Sequence, residues 1–113
     1  MTKILHNPRC QKSRQTLKIL EEHGENYDVI EYLKEPPSRE ELLAIIHMLG
    51  ITPIQLIRKG EKDYTDNLKG KDLSDEALID AMLQYPKLIE RPIVIKDGKA
   101  IIGRPPEGVL TIL

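Results

Sequence analysis

Residues 3–32 read KILHNPRCQKSRQTLKILEEHGENYDVIEY, and this stretch decides the fold. Lys3 to His6 is a short strand-like run, broken by Asn7-Pro8. From about Cys10 a helix is predicted to His23, with Leu17, Leu20 and Gly24 at i, i+3 and i+7. Gly24 is a C-terminal stop, and His23 suits the last turn. Tyr27 to Tyr32 is strand-like again. Strand, helix and strand with short joints make a βαβ unit, with parallel strands and a right-handed crossover.

Working outward, Pro36-Pro37 ends that unit. Ser38-Arg39-Glu40-Glu41 is a capping box, and Leu42, Ile45, Ile46 and Leu49 form one apolar stripe up to Gly50. Thr52-Pro53 starts a short helix as N-cap and first residue, with Ile54 and Ile57 inward. Lys59 to Leu73 is polar and irregular, with one turn near Tyr64. Ser74 caps a further helix, in which Leu78, Ala81, Met82 and Tyr85 share a face, and Pro86 closes it. Arg91 to Lys96 is a β-branched run, Asp97-Gly98 a tight turn, and Ala100 to Ile102 the returning strand. Pro105 to Leu113 holds a last helix, with Val109, Ile112 and Leu113 on one side. The order β-α-β, helical block, β-β-α predicts an α/β protein with a thioredoxin-like layout. A four-stranded mixed sheet with its helices would be built from residues 1–33 and 91–113. Residues 34–90 would be a helical insertion within a single domain of residues 1–113.

A chain of 113 residues is long enough for one core without disulfide staples. Its formal net charge of -1 gives no global field that favours nucleic acid or a membrane surface, so any anion site must be a local cluster. The single cysteine excludes an internal disulfide and points to a reducing compartment. The N-terminus has no long apolar region of the signal-peptide kind, and no run approaches the roughly 20 apolar residues of a membrane span. A cytoplasmic protein is expected.

That cysteine, Cys10, sits in His6-Asn7-Pro8-Arg9-Cys10-Gln11-Lys12-Ser13-Arg14, at a strand-to-helix turn. The first twenty residues hold Lys3, His6, Arg9, Lys12, Arg14 and Lys18 but no Asp or Glu. Cations and a helix N-terminus both lower a thiol's pKa, and the thiolate is the nucleophile. Ser13 could donate its hydroxyl to the sulfur, and His6 could stabilise the thiolate or hold the loop. The opposing reading is a buried structural cysteine, against which the polar neighbours argue. Arg58, Arg91 and Arg104 each lie at an element end and offer the planar donor fork that suits an oxyanion. Spacing alone leaves them equally readable as solvated surface arginines. By the same standard Arg91-Pro92 reads as a trans peptide. Cys10 to Arg14 is C-x3-R, not the C-x5-R of a phosphatase-type anion loop. Ser13 also stands where a C-x-x-C motif would have its second cysteine, so any turnover needs an external thiol. No His/Cys pair has metal-ligand spacing, and no metal is expected.

Five blocks, taken together, resemble the glutaredoxin-coupled arsenate reductases. They are His6-Asn7-Pro8-Arg9-Cys10 with Ser13-Arg14, Tyr32-Leu33 before Pro36-Pro37-Ser38, Leu56-Ile57-Arg58-Lys59, Leu88 to Val94, and Gly103-Arg104-Pro105. The resemblance runs in order along essentially the whole chain. It implies a thioredoxin-like fold with a helical insertion, Cys10 as nucleophile and His6 as the residue that lowers its pKa. It also implies Arg58, Arg91 and Arg104 as an oxyanion-binding set, with Arg14 nearby, and Pro92 as a cis proline beside the active loop. The implied chemistry is attack of the Cys10 thiolate on arsenate with loss of water. Glutathione then attacks arsenic, glutaredoxin reduces the adduct, and arsenite leaves. No bound cofactor is implied; glutathione is the reductant. The competing expectation is a thioredoxin-like redox-sensing or regulatory binding protein. A related branch regulates RNA polymerase, but it often carries C-x-x-C, which Ser13 argues against.

Overall fold

The computed structural model of the chain describes residues 2–113. They form two compact units, one of the residues through Glu35 with Arg91–Leu113, the other Pro36–Glu90.

In the first unit, β1 (Thr2–Leu5), β2 (Tyr27–Ile30), β3 (Ile93–Lys96) and β4 (Lys99–Ile102) make one four-stranded sheet in the order β2-β1-β3-β4. β1 runs parallel to β2, with Ile4 opposite Val29, and antiparallel to β3, with Ile4 opposite Val94. β3 and β4 are antiparallel, with Ile93 opposite Ile102. This is the mixed sheet of a thioredoxin-like fold. The hairpin between β3 and β4 turns at Asp97 (φ 51) and Gly98 (φ 76). Two successive positive φ values match the right-handed twist of the strands, which is why Asp-Gly stands there.

Helix α1 (Gln11–Glu22) crosses from β1 to β2. Its buried residues are Ser13, Thr16 and Leu20, at i, i+3 and i+7. The apolar core of the unit is Ile4, Leu20, Val94 and Val109, flanked by Leu17, Ile19, Tyr27, Ile101, Ile112 and Leu113. Each fully buried Leu, Ile or Val contributes about 1.5–3 kcal/mol. The expected last helix is instead a 3₁₀ segment, Pro106–Ile112. Gly108 and the β-branched Val109, Thr111 and Ile112 disfavour a regular α-helix. Val109, Ile112 and Leu113 still meet the core.

In the second unit, α2 (Arg39–Leu49) carries the full capping box: Glu41 N–H donates to Ser38 Oγ at 3.1 Å, and Ser38 N–H donates to Glu41 Oε1 at 3.0 Å. Gly50 ends it at φ 67. Then follow α3 (Pro53–Leu56), α4 (Lys62–Asn67) and α5 (Asp75–Gln84). α4 is a six-residue helix inside the stretch Lys59 to Leu73, where sequence predicts only a single turn. It buries no residue, so it has no apolar stripe to read. On α5, Ile79 is buried beside Leu78 and Met82. The inward residues around α3 are Pro53, Leu56 and Ile57, while Ile54 is half-buried. A short bridge, Ile57 opposite Ile89, and Arg58 N–H to Leu88 O at 2.7 Å tie the end of α3 to the segment before Arg91. Among the described residues no helix is long and apolar enough to cross a membrane.

Candidate active site

The loop from β1 to α1 is held by its own polar groups. Cys10 N–H donates to Asn7 O at 2.9 Å, and Arg9 N–H donates to Asn7 Oδ1 at 3.0 Å, which makes an Asx turn. Asn7 is buried, and its side chain closes the turn that Asn7-Pro8 marks in the sequence. Cys10 then occupies the N-cap position of α1, half-buried, with extended φ and ψ of -93° and 121°. Its side chain therefore lies where the unpaired N–H groups of the first turn gather.

Two arginines from the other end of the chain reach the same sulfur. Arg104 Nη2 donates to Cys10 Sγ at 3.4 Å, and its Nε donates to the Arg91 carbonyl at 2.8 Å. The Arg91 side chain is buried and also hydrogen-bonds the thiol. Burial pushes the Cys10 thiol up and is the largest single influence. The Ser13 backbone N–H, the Arg104 charge, the Lys12 backbone N–H and the Arg91 hydrogen bond together outweigh it, so the thiol titrates below its ordinary value. The Arg91-Pro92 and Arg104-Pro105 peptides are both cis. The first is the cis proline that the family resemblance implies, where spacing alone reads trans.

Ser13 departs from its expected role, while His6 takes the second of the two open to it and holds the loop by a hydrogen bond. The Ser13 hydroxyl does not serve the sulfur. It meets His6 Nδ1 at 2.6 Å and accepts from Asn7 N–H at 3.1 Å, in a buried cluster. What Ser13 offers Cys10 is its backbone N–H. Burial, above all, pushes His6 below its usual pKa; Glu31 opposes this and Arg14 adds to it. Burial thus disfavours the charged imidazole, and Nδ1 shares a hydrogen bond with the Ser13 hydroxyl. Arg14 is exposed, and its Nη1 donates to Pro8 O at 2.9 Å, pinning the loop.

Arg58 belongs to the second unit. There its Nε lies 3.6 Å from Glu61 Oε1 and 3.9 Å from Glu90 Oε1. Of the three arginines singled out in the sequence, Arg91 and Arg104 meet at Cys10, and Arg58 is flanked by two carboxylates. Among the described residues no group of three His, Cys, Asp or Glu gathers as metal ligands.

A thiol fixed at a helix start, with its pKa lowered and two guanidinium groups upon it, is built to meet an anion. The pattern of the ArsC family matches residues 5–112. The chain belongs to the ArsC family. This ArsC-family protein is 50% identical over 113 residues to an uncharacterized protein of Escherichia coli K12, covering 98% of this chain and 95% of that one. It is 42% identical over 113 residues to an arsenate reductase of Neisseria meningitidis serogroup A, covering 98% and 97% respectively. The solved arsenate reductase of Vibrio cholerae superposes with a TM-score of 0.94 at 49% identity, over 99% of this chain and 97% of that one.

Proposed function

We propose that this protein is an arsenate reductase that works through a covalent Cys10–arsenate intermediate resolved by glutathione and glutaredoxin. The observation that carries the reading is the Cys10 sulfur under Arg104 and Arg91, in a chain similar to arsenate reductases along almost its full length.

Arsenate enters as an oxyanion against Arg91 and Arg104. Their charge stabilises the negative charge that builds on arsenate oxygen as sulfur attacks. A Cys10 S–As bond forms, one As–O bond breaks, and protonation releases that oxygen as water. Glutathione sulfur then bonds to arsenic as a second As–O bond breaks and its oxygen leaves as water. The glutaredoxin thiolate takes the glutathionyl sulfur and leaves the S–As electron pair on arsenic. A second glutathione frees glutaredoxin as glutathione disulfide forms, and water hydrolyses the Cys10 S–As bond to release arsenite. Over the cycle, arsenate takes two electrons and two protons from two glutathione thiols. The products are arsenite, water and glutathione disulfide. His6, Ser13 and Asn7 keep the loop in shape, and Arg14 braces it at Pro8. Residues 34–90 are an insertion in this single catalytic domain. The proposed setting is the cytoplasm, where a lone thiol stays reduced.

The test is arsenite release from arsenate with glutathione and glutaredoxin, run beside Cys10→Ser. Turnover by wild type that is lost in Cys10→Ser is expected. Full turnover by Cys10→Ser would sink the mechanism. A reactive Cys10 with no arsenite formed would move the protein to the redox-sensing class.

A further inference from the structure

One position next to the site has no room for a side chain. Gly103 follows β4 and precedes Arg104. Its φ lies outside the left-handed region occupied by Gly24, Gly50, Gly70 and Gly98, so backbone conformation does not demand glycine here. Space does. A Cβ on Gly103 would lie 2.6 Å from Thr16 Oγ1, 2.8 Å from Pro92 Cγ and 3.3 Å from Thr16 Cγ2. Carbon atoms in favourable contact sit about 3.5–4.0 Å apart. Neither neighbour is free to retreat. Thr16 is buried, and its Oγ1 donates to Lys12 O at 2.9 Å within α1. Pro92 is buried, and its carbonyl accepts from Gly103 N–H at 2.8 Å.

The gap adjoins both anchors of the arginine at the thiol. Arg104 follows Gly103, and Arg91, whose carbonyl accepts from Arg104 Nε at 2.8 Å, precedes Pro92. We propose that Gly103 is the positioning residue that aims Arg104 at Cys10, because its bare backbone passes between Thr16 and Pro92 and so sets the reach from Arg104 to the Arg91 carbonyl. With Nε held there, the planar guanidinium directs Nη2 at sulfur, 3.4 Å away. A methyl group at residue 103 forces the chain from Pro92, or Pro92 from the chain. Either shift alters the separation between Arg104 and the Arg91 carbonyl, and the rigid fork no longer satisfies both partners. The inference rests on the reading of Cys10 and Arg104 as the oxyanion site.

Gly103→Ala, Thr16→Ala and the double variant test it. Two readouts are needed: the pH dependence of Cys10 alkylation, which requires no arsenate, and the arsenate KM and kcat from arsenite release. Gly103→Ala is expected to fold, to titrate Cys10 at higher pH and to raise the arsenate KM about tenfold, the size of one lost hydrogen bond to a charged group. Its kcat should change less. Thr16→Ala alone should leave both readouts near wild type. The double variant should fall between, because the Thr16 contact is relieved and the Pro92 contact remains.

A folded Gly103→Ala protein with wild-type Cys10 titration and KM overturns the proposal, even if its melting temperature has dropped. If Gly103→Ala does not fold, the double variant is compared with Thr16→Ala: a raised titration point and KM support the proposal, and equal values overturn it. Wild-type protein that releases no arsenite would end the arsenate reading while leaving the alkylation comparison intact.

Discussion

The chemistry is concentrated in one sulfur atom and its donors. Arg104 is exposed yet tied at two points, to the Arg91 carbonyl and to Cys10. Replacing it removes a charge and a donor from the thiol without opening the core. Arg104→Ala is expected to raise the Cys10 titration point and to lower kcat/KM for arsenate on the order of ten- to a hundredfold, with the fold unchanged by circular dichroism. Ser13 presents the opposite case. It is fully buried, and its hydroxyl meets both His6 Nδ1 and Asn7 N–H. Ser13→Ala leaves two buried polar groups without that partner and should cost about 1–3 kcal/mol in urea unfolding. A fall well below that range would mean that water replaces the hydroxyl. The sulfur's setting was legible because Lys3 to Lys18 is rich in bases and free of acids. The His6–Ser13 contact was not, because both side chains read equally well as partners of the thiol until burial and direction were known.

Elements with strong local chemistry were readable from sequence, and those shaped by packing were not. Ser38 and Glu41 spell a capping box, and the box is formed. Ser38→Ala should cost about 1 kcal/mol, seen as a lower urea midpoint with activity per folded molecule unchanged. Asp97-Gly98 likewise fixed a hairpin whose register pairs Ile93 with Ile102. By contrast α4, Lys62–Asn67, buries nothing and left no periodic signal. Thr16 and Ser13 break the apolar pattern of α1, although both are buried and hydrogen-bonded. The meeting of Arg104 with the Arg91 carbonyl spans 13 residues and depends on hairpin register, so spacing alone could not separate it from a surface arginine. Arg58 sits in the other unit beside Glu61 and Glu90, and nothing in its local sequence announced that pairing.

At the scale of the molecule, the net charge of -1 gives no general attraction for a dianion, so capture depends on the local guanidinium groups. The same local arrangement couples the site to stability. His6 and Cys10 both titrate below their ordinary values in the folded chain. The unfolded chain therefore binds more protons wherever these groups titrate, and acidification favours unfolding. The Cys10 contribution is complete above the ordinary thiol value of about 8.5 and is lost as pH falls through the folded value; that of His6 is complete above about 6.5 and is lost below it. Urea midpoints should thus decline from mildly alkaline to acidic pH, and Cys10→Ser should flatten the upper part of that decline. Unchanged upper slopes would show that folding does not depend on the thiolate. The central claim is that the folded protein holds Cys10 ready as a thiolate. The most direct measurement is the ultraviolet thiolate absorbance of the native protein across pH, with Cys10→Ser subtracted and the urea-unfolded chain as reference. The account predicts a native midpoint below the unfolded one. A native midpoint at or above it would contradict the account, because burial would then have outweighed the arginines and the backbone N–H groups.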